Sequence, residues 1–408
     1  MTEKTNIPQG YKNSPLGIIP KEWEVKRVCD FGKVVTGSTP PTNDVDNYGS
    51  AYMFVGPVDI TESKYIKSTE KYLSEKGFSI SRNMPKGSVL FTCIGSTIGK
   101  CAIADENLTS NQQINAVICN SNHNEEFLYY ELTNRSNKIR LIAGEQAVPI
   151  INKSTFENIR ILCPPLIEQE RIVSVLGLWD TAIEKQSELI EKLKLRKRAL
   201  MQQLLTGKKR LPGFNDEWKH VPIKTFAKEV SNRNVGGANH IVLSCTKYDG
   251  LVPSLEYFGK QIYSNDLSSY KIIPQGHFAY ATNHIEEGSI GYQSNYENGL
   301  ISPMYTVFVT NKEKVNDTFL YSVLKSHHLI YLYKSMMEGS INRRGGLRWD
   351  SFSTIKIDLP SLEEQNVIAS VLVKADEEIE LAKEKLSNLQ AQKRGLMQQL
   401  LTGKKRVV

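Results

Sequence analysis

Residues Met201–Arg210 read MQQLLTGKKR, and the same ten residues recur unchanged as Met397–Arg406, 196 positions later. The match extends upstream without a gap. Pro164-Pro165-Leu166-Ile167-Glu168-Gln169 is echoed by Pro360-Ser361-Leu362-Glu363-Glu364-Gln365, and about half of the paired positions from Pro164 to Arg210 are identical. A repeat has to be read before any single element, and this period is far too long for a solenoid. It marks a duplicated unit. Fainter anchors carry the duplication further. Trp23, Phe31, Lys33 and Val35 recur as Trp218, Phe226, Lys228 and Val230; Phe127-Leu128-Tyr129 recurs as Phe319-Leu320-Tyr321; Phe156, Ile159 and Ile161 recur as Phe352, Ile355 and Ile357. Between the anchors almost everything differs. The chain therefore reads as domain, helix, domain, helix, with boundaries at 1–163, 164–206, 207–359 and 360–408.

The repeated segment is helical by pattern. Pro164-Pro165 precedes it, Glu168 falls in the first turn and Gly207 follows its end, which are the usual start and stop signals. Mostly apolar residues step by four and three through Ile172, Leu176, Trp179, Ile183, Gln186, Ile190, Leu193, Lys197, Leu200 and Leu204. The second copy gives Ile368, Leu372, Ala375, Ile379, Ala382, Leu386, Leu389, Lys393, Leu396 and Leu400. That is a coiled-coil seam. A helix of ~38 residues spans about 55 Å, more than a small domain can cover. Each helix needs a partner, and the other copy is the obvious one. A pseudo-twofold relation makes the pair antiparallel, and Trp179 and Ile183 are expected to face the small Ala375 and Ala382. Lys197 and Lys393 occupy seam positions. Each either snorkels near a helix end or sets register or partner docking. The basic ends, Lys208-Lys209-Arg210 and Lys404-Lys405-Arg406, are either solvated, dipole-compatible termini or phosphate contacts.

Both globular parts read as α+β. Strand-like runs are Ala51–Val55, Ser88–Thr92, Ala102–Ala104 and Ala116–Cys119, then Ile241–Ser244, His277–Ala281 and Thr306–Val309. Helices are expected over Glu125–Ile142 and Asp317–Met336. The loops are rich in Ser, Thr, Asn, Gln and Gly, types that hydrogen-bond base edges well and that also form ordinary turns.

The chain has 408 residues and a net charge of +7. That is room for two packed domains, with a balance compatible with a polyanionic partner. Its six cysteines, at 29, 93, 101, 119, 163 and 245, show no regular spacing and read as free thiols in a reducing compartment. The polar start lacks a signal-peptide core, and no apolar run reaches the ~18 residues of a membrane span. The expectation is a cytoplasmic protein whose first ~14 residues are loosely ordered.

Catalytic motifs are missing or broken. Gly95-Ser96-Thr97-Ile98-Gly99-Lys100 is one residue too short for a phosphate loop, and Cys101 stands where its Ser or Thr belongs. Pro57-Val58-Asp59 with Glu62-Ser63-Lys64 sets its acids too close in sequence for a nuclease site. Cys163-Pro164-Pro165-Leu166 and Ser302-Pro303-Met304-Tyr305 are incomplete amino-methyltransferase motifs without a cofactor loop. The histidines are scattered apart from His327-His328, so no metal site is expected.

The duplicated P-x-L-x-E-Q helix starts, the M-Q-Q-L-L-T-G-K ends and the order domain–helix–domain–helix resemble the specificity subunit of type I restriction–modification systems. So do Gly56-Pro57-Val58-Asp59-Ile60, Gly87-Ser88-Val89-Leu90-Phe91 and Ile94-Gly95-Ser96-Thr97-Ile98-Gly99-Lys100. The resemblance covers nearly the whole chain. It is looser in the second domain, where Ala279-Tyr280-Ala281-Thr282 and Ser302-Pro303 depart from the pattern. It implies a non-catalytic reader of double-stranded DNA, in which two target-recognition domains each take half of a bipartite, asymmetric site. The helices would act as a ruler and dock two methyltransferase subunits, with motor–nuclease subunits completing the complex. No cofactor is then expected in this chain; S-adenosylmethionine, ATP and Mg²⁺ belong to the partners. Domains entering successive major grooves sit about one turn, ~10 bp, apart, which leaves an unread gap of roughly 6–7 bp.

The residues expected to contact bases or phosphates in the first domain are Ser38, Thr39, Arg82, Lys86, Ser96, Lys100, Asn111, Gln112, Gln113 and Lys153. In the second they are Asn232, Arg233, Asn283, His284, Gln293, Arg343, Arg344, Arg348 and Trp349. Competing readings are the specificity subunit of a type II-like methyltransferase–nuclease, and a coiled-coil scaffold carrying two protein-binding domains.

Overall fold

The seam residues form two helices, Leu166–Leu204 and Leu362–Leu400. In the computed structural model, which describes residues 7–144, 148–338 and 346–407, the chain divides into two units. The first is Met1–Ser187 with Glu384–Val408, and the second is Glu188–Lys383. Each unit thus holds one globular part, the start of the helix that follows it and the end of the other helix.

The P-x-L-x-E-Q motif explains how each helix start is seated. In the first unit Gln169 Nε2 donates to the Pro164 carbonyl at 2.9 Å, and its Oε1 accepts the Asn124 N–H. Asn124 in turn caps the helix Glu125–Ile142 by accepting the Phe127 N–H. The second unit repeats this with Gln365, Pro360, Asn316 and Phe319. Glu168 is 6% exposed and Glu364 1%. Glu168 accepts from Trp23 Nε1 at 2.9 Å and from both Nε and an Nη of Arg406 at 2.5 and 2.8 Å. Glu364 accepts from Trp218 Nε1 at 3.1 Å and from Arg210 at 2.7 and 2.8 Å. A buried carboxylate needs such a fork of donors to offset its lost hydration. The terminal arginines of the repeat are therefore neither free termini nor phosphate contacts. They bind the acid at the start of the other helix, and only the flanking lysines stay exposed. Gly207 and Gly403, at φ +65° and +69°, make the left-handed turn that brings each arginine back.

Within each unit the helices run antiparallel. Lys393 pairs with Asp180 in the first unit and Lys197 with Asp376 in the second. These are equivalent positions of the repeat, so each seam lysine ends on an acid of the facing helix. The pairs place Trp179 level with Lys393 in the first unit and Ala375 level with Lys197 in the second. Ile172, Leu176, Ile190, Leu204, Ile368, Leu372, Ala375, Ile379, Ala382 and Leu400 are buried. Trp179, Ile183, Leu193, Leu200, Leu386, Leu389 and Leu396 are half-buried. Each fully buried aliphatic residue contributes about 2 kcal/mol.

The globular parts share a frame. The first has the antiparallel order Gly32–Thr36, Ile114–Cys119, Val89–Thr92, Cys101–Ala104, with Tyr65–Ile66 added in parallel at the edge. The second has Ala227–Val230, Tyr305–Thr310, Phe278–Ala281, Ile290–Tyr292. A smaller sheet in each contains one parallel pairing, Thr109↔Phe54 in the first and Ile241↔Gly299 in the second. A two-stranded ribbon closes each part, Glu24–Arg27 with Arg160–Cys163 and Lys219–Pro222 with Lys356–Leu359, and hands the chain to its long helix.

Two expectations fail locally. Tyr11–Ser14 is a strand paired with Gly17–Pro20, and the Tyr11 hydroxyl donates to the Gly403 carbonyl at 2.9 Å. The helix expected over Asp317–Met336 is two helices, Asp317–Leu324 and His327–Glu338. The break falls at Lys325-Ser326. Lys325 Nζ is drawn to the Lys247 and Gly288 carbonyls, and the Ser326 hydroxyl accepts the Leu329 N–H.

Candidate nucleic-acid interface

The loop that follows the first strand of the five-stranded sheet meets two other segments at one exposed corner. The Ser38 hydroxyl accepts the Arg82 N–H at 3.0 Å, and the Arg82 guanidinium donates to the Thr36 carbonyl at 3.1 Å. The Thr39 hydroxyl lies 2.6 Å from Gln112 Oε1. Asn111 donates to Gln113 Oε1 at 2.9 Å and accepts its N–H at 3.0 Å. Gly37 is needed here, since a β-carbon would sit 2.1 Å from the Asn111 carbonyl oxygen. Gly95, next to Ser96, lies against Gln113. Six of the expected residues thus converge, with Ser96 beside them.

The second unit builds the same corner from other residues. The Asn232 carbonyl accepts the Ile272 N–H at 2.7 Å, and the Arg233 backbone pairs with that of Lys271 as an isolated antiparallel bridge. Ser302-Pro303-Met304, which precedes Tyr305–Thr310 as Asn111–Gln113 precedes Ile114–Cys119, returns its Met304 carbonyl to the Thr282 hydroxyl at 3.0 Å. Asn283 Oδ1 accepts the Gly346 N–H at 3.2 Å. Lys271 was not legible beforehand; its Nζ donates to the Tyr305 carbonyl at 2.6 Å. Burial holds its ammonium below the ordinary value, with Glu229 opposing and Arg233 adding to the shift. Its signal would have been its place opposite Arg82 in the frame, visible only once the strands are aligned.

Other expected residues are engaged elsewhere. Lys100 donates to the Ile60 and Pro57 carbonyls at 2.8 and 3.4 Å, which makes it a brace for that loop rather than a free contact. Gln293 is 2% exposed and accepts the Asn295 N–H, so it is withdrawn from the surface. Trp349 is half-buried at the edge of the core, 5.4 and 5.9 Å between ring centres from Phe308 and Phe352. Lys86 pairs with Asp105 and Lys153 with Glu157, away from the corner. Arg348 is exposed at the start of a short helix. Arg343 and Arg344 lie outside the described residues. His284 stands 3.4 Å from Glu287. With Glu286 these two bring one potential ligand atom each within 4.8 Å of one another, a grouping that sequence spacing did not reveal. Among the described residues no helix is long and apolar enough to cross a membrane.

The cysteines are all unpaired. Burial pushes the Cys93 thiol up to about 12 and that of Cys163 to about 11, which keeps both protonated.

The family model for the type I restriction modification DNA specificity domain matches residues 20–195 and again 223–391. The MjaVIII type I specificity subunit of Methanocaldococcus jannaschii is 24% identical, over 95% of this chain and 94% of its own length. The MjaIX specificity subunit of the same organism is 34% identical, over only 45% of each chain. A solved S subunit of a type I restriction–modification system from M. genitalium shares the fold, with a TM-score of 0.56 and 15% identity over 98% of both chains. A chain from a structure describing complex assembly and conformational transition of the type I system gives 0.59 and 16%, over 95% of this chain and 99% of that one. With two matched domains covering most of its length, the chain belongs to the type I restriction–modification specificity-subunit family.

Proposed function

We propose that this chain is the non-catalytic DNA-reading subunit of a type I restriction–modification complex. Each globular part takes one half of a bipartite, asymmetric site. The observation that carries this is one corner built twice on a common frame from unlike residues. Ser38, Thr39, Arg82 and Gln112 form it in the first unit, and Asn232, Arg233 and Asn283 form it in the second, where Lys271 braces the Tyr305 carbonyl. Amides offer a donor and an acceptor together, which suits adenine, whereas guanidinium and ammonium groups offer donors only, which suits guanine or phosphate. A duplicated frame with different readers gives an asymmetric sequence.

The long helices would dock two methyltransferase subunits and set the distance between half-sites. S-adenosylmethionine, ATP and Mg²⁺ chemistry would belong to those subunits and to the motor–nuclease subunits. The test is selection from a randomised duplex pool by the full chain co-purified with its methyltransferase subunit. The expected result is one asymmetric motif with an unread gap of roughly 6–7 bp. Recovery of no motif, or of a single uninterrupted one, overturns the reading.

A further inference from the structure

The two units join an equivalent antiparallel strand pair differently: in the first, Tyr48–Val55 meets Lys71–Leu73 across a long connection, and in the second the connection is tight. Ile241–Thr246 turns back directly on Gly250–Pro253 as a β-hairpin. In the first unit the chain after Tyr48–Val55 instead makes a turn in which the Gly56 N–H donates to Asp59. The hairpin tip, Lys247-Tyr248-Asp249, is pinned through its backbone and its acid. The Asp249 N–H donates to the Thr246 hydroxyl at 3.0 Å, and the Tyr257 hydroxyl donates to Asp249 Oδ2 at 3.1 Å. Lys325 Nζ donates to the Lys247 carbonyl at 2.7 Å and to the Gly288 carbonyl at 2.9 Å. Gly250 closes the turn at φ +66°, where a β-carbon would lie 2.7 Å from the Tyr321 hydroxyl.

All of these bonds hold the tip's shape, and none uses the side chains of Lys247 or Tyr248. Tyr248 is 77% exposed, and its hydroxyl has no hydrogen-bond partner among the described residues. Lys247 Nζ rests 5.2 Å from the centre of the Tyr248 ring. The Tyr248 ring, held in water on a fixed turn with a cation beside it, is placed to meet a partner carrying both negative charge and apolar surface.

Its neighbourhood says what it meets. Through Lys325 the tip is tied to the loop that contains Asn283 and His284. The strand leading to it runs parallel to Asn298–Ile301, which ends at Ser302-Pro303-Met304. The tip therefore borders the second corner.

We infer that the Lys247–Asp249 tip is a DNA-contacting finger of the second unit, with Lys247 on a phosphate and Tyr248 against base edges in the groove. This rests on the proposed DNA-reading function and extends it to a tight turn where the first unit has a longer connection. Rigid backbone with free side chains is the arrangement that loses least entropy on binding.

The test uses the full chain with its methyltransferase subunit, and salt-titrated binding to duplexes carrying the methylated motif and its single-base variants. Lys247→Ala is expected to weaken all sequences alike and to lower the salt slope by about one. Tyr248→Ala is expected to weaken binding about tenfold and to relax one or two adjacent positions of one half-site, leaving the salt slope intact. Tyr248→Phe should keep most of that discrimination if the ring face does the reading. Unchanged affinity, slope and preference in both alanine variants overturn the inference. So does loss of the methyltransferase subunit from the variants with DNA preference retained, which would make the tip a protein-docking element. If the unsubstituted chain itself shows no gapped preference, the DNA-reading function has failed rather than the finger.

Discussion

Glu168 and Glu364 close the same circuit in the two units, and each depends on an arginine more than 150 positions away. Removing such an acid leaves a buried indole N–H without its acceptor and takes from a part-buried guanidinium its two-pronged partner; Arg406 keeps Glu22 at 3.0 Å, whereas Arg210 has no second acid among the described residues. Glu168→Ala is expected to destabilise the chain by about 3 kcal/mol in urea unfolding, while Glu363→Ala, beside Glu364 but exposed, stays within about 0.5 kcal/mol. Equal effects would show that the buried acid is not the anchor. The thiols make a second prediction. With burial holding Cys93 and Cys163 protonated, iodoacetamide at about pH 8 leaves both unmodified in the native chain and modifies both after unfolding. Rapid native labelling would mean the cores around them are open. Neither acid was singled out as an ion-pair partner from the sequence. Glu168 served as a first-turn signal and Arg210 as a basic end, because a string of letters shows the helix dipole but not the partner that folding supplies.

The long helices were legible because their pattern is local: a seam of four-and-three spacing over dozens of residues needs no tertiary knowledge, and the segment 164–206 lies within two residues of Leu166–Leu204 at each end. What the pattern hid is the acid that each seam lysine meets. Asp180 and Asp376 lie beside the seam, not in it, and meet Lys393 and Lys197 only when the helices are antiparallel. The two pairs differ in setting. Lys393 and Asp180 are 15% and 23% exposed, and Lys64 and the Tyr130 hydroxyl join them. Lys197 and Asp376 are more open, at 27% and 54%. A double-mutant cycle on Lys393 and Asp180 is expected to give a coupling of roughly 1–2 kcal/mol, against under about 1 kcal/mol for Lys197 and Asp376. Equal couplings would mean the first unit's extra partners contribute nothing. The broken helix at Lys325-Ser326 was illegible for the opposite reason. Its residues suit a continuous helix, and the pull of two distant carbonyls on Lys325 interrupts it.

At the scale of the whole chain, duplication was read from ten identical residues, and the common frame of the two sheets follows it strand by strand. The convergence of Ser38, Thr39, Arg82 and Gln112 was legible because they all lie on loops with readable polarity. The site was illegible where a polar residue turned inward, as with Gln293, because composition cannot tell an outward loop from a buried one. If the helices set the distance between half-sites, adding one or two turns to both should widen the unread gap; an unchanged gap contradicts the ruler. The most direct test of the central claim is a map of N6-methyladenine across the host genome with and without this gene. The account predicts that one asymmetric, gapped motif loses methylation on deletion and regains it on complementation. Methylation that is identical in the two strains while the methyltransferase subunit is expressed would contradict it.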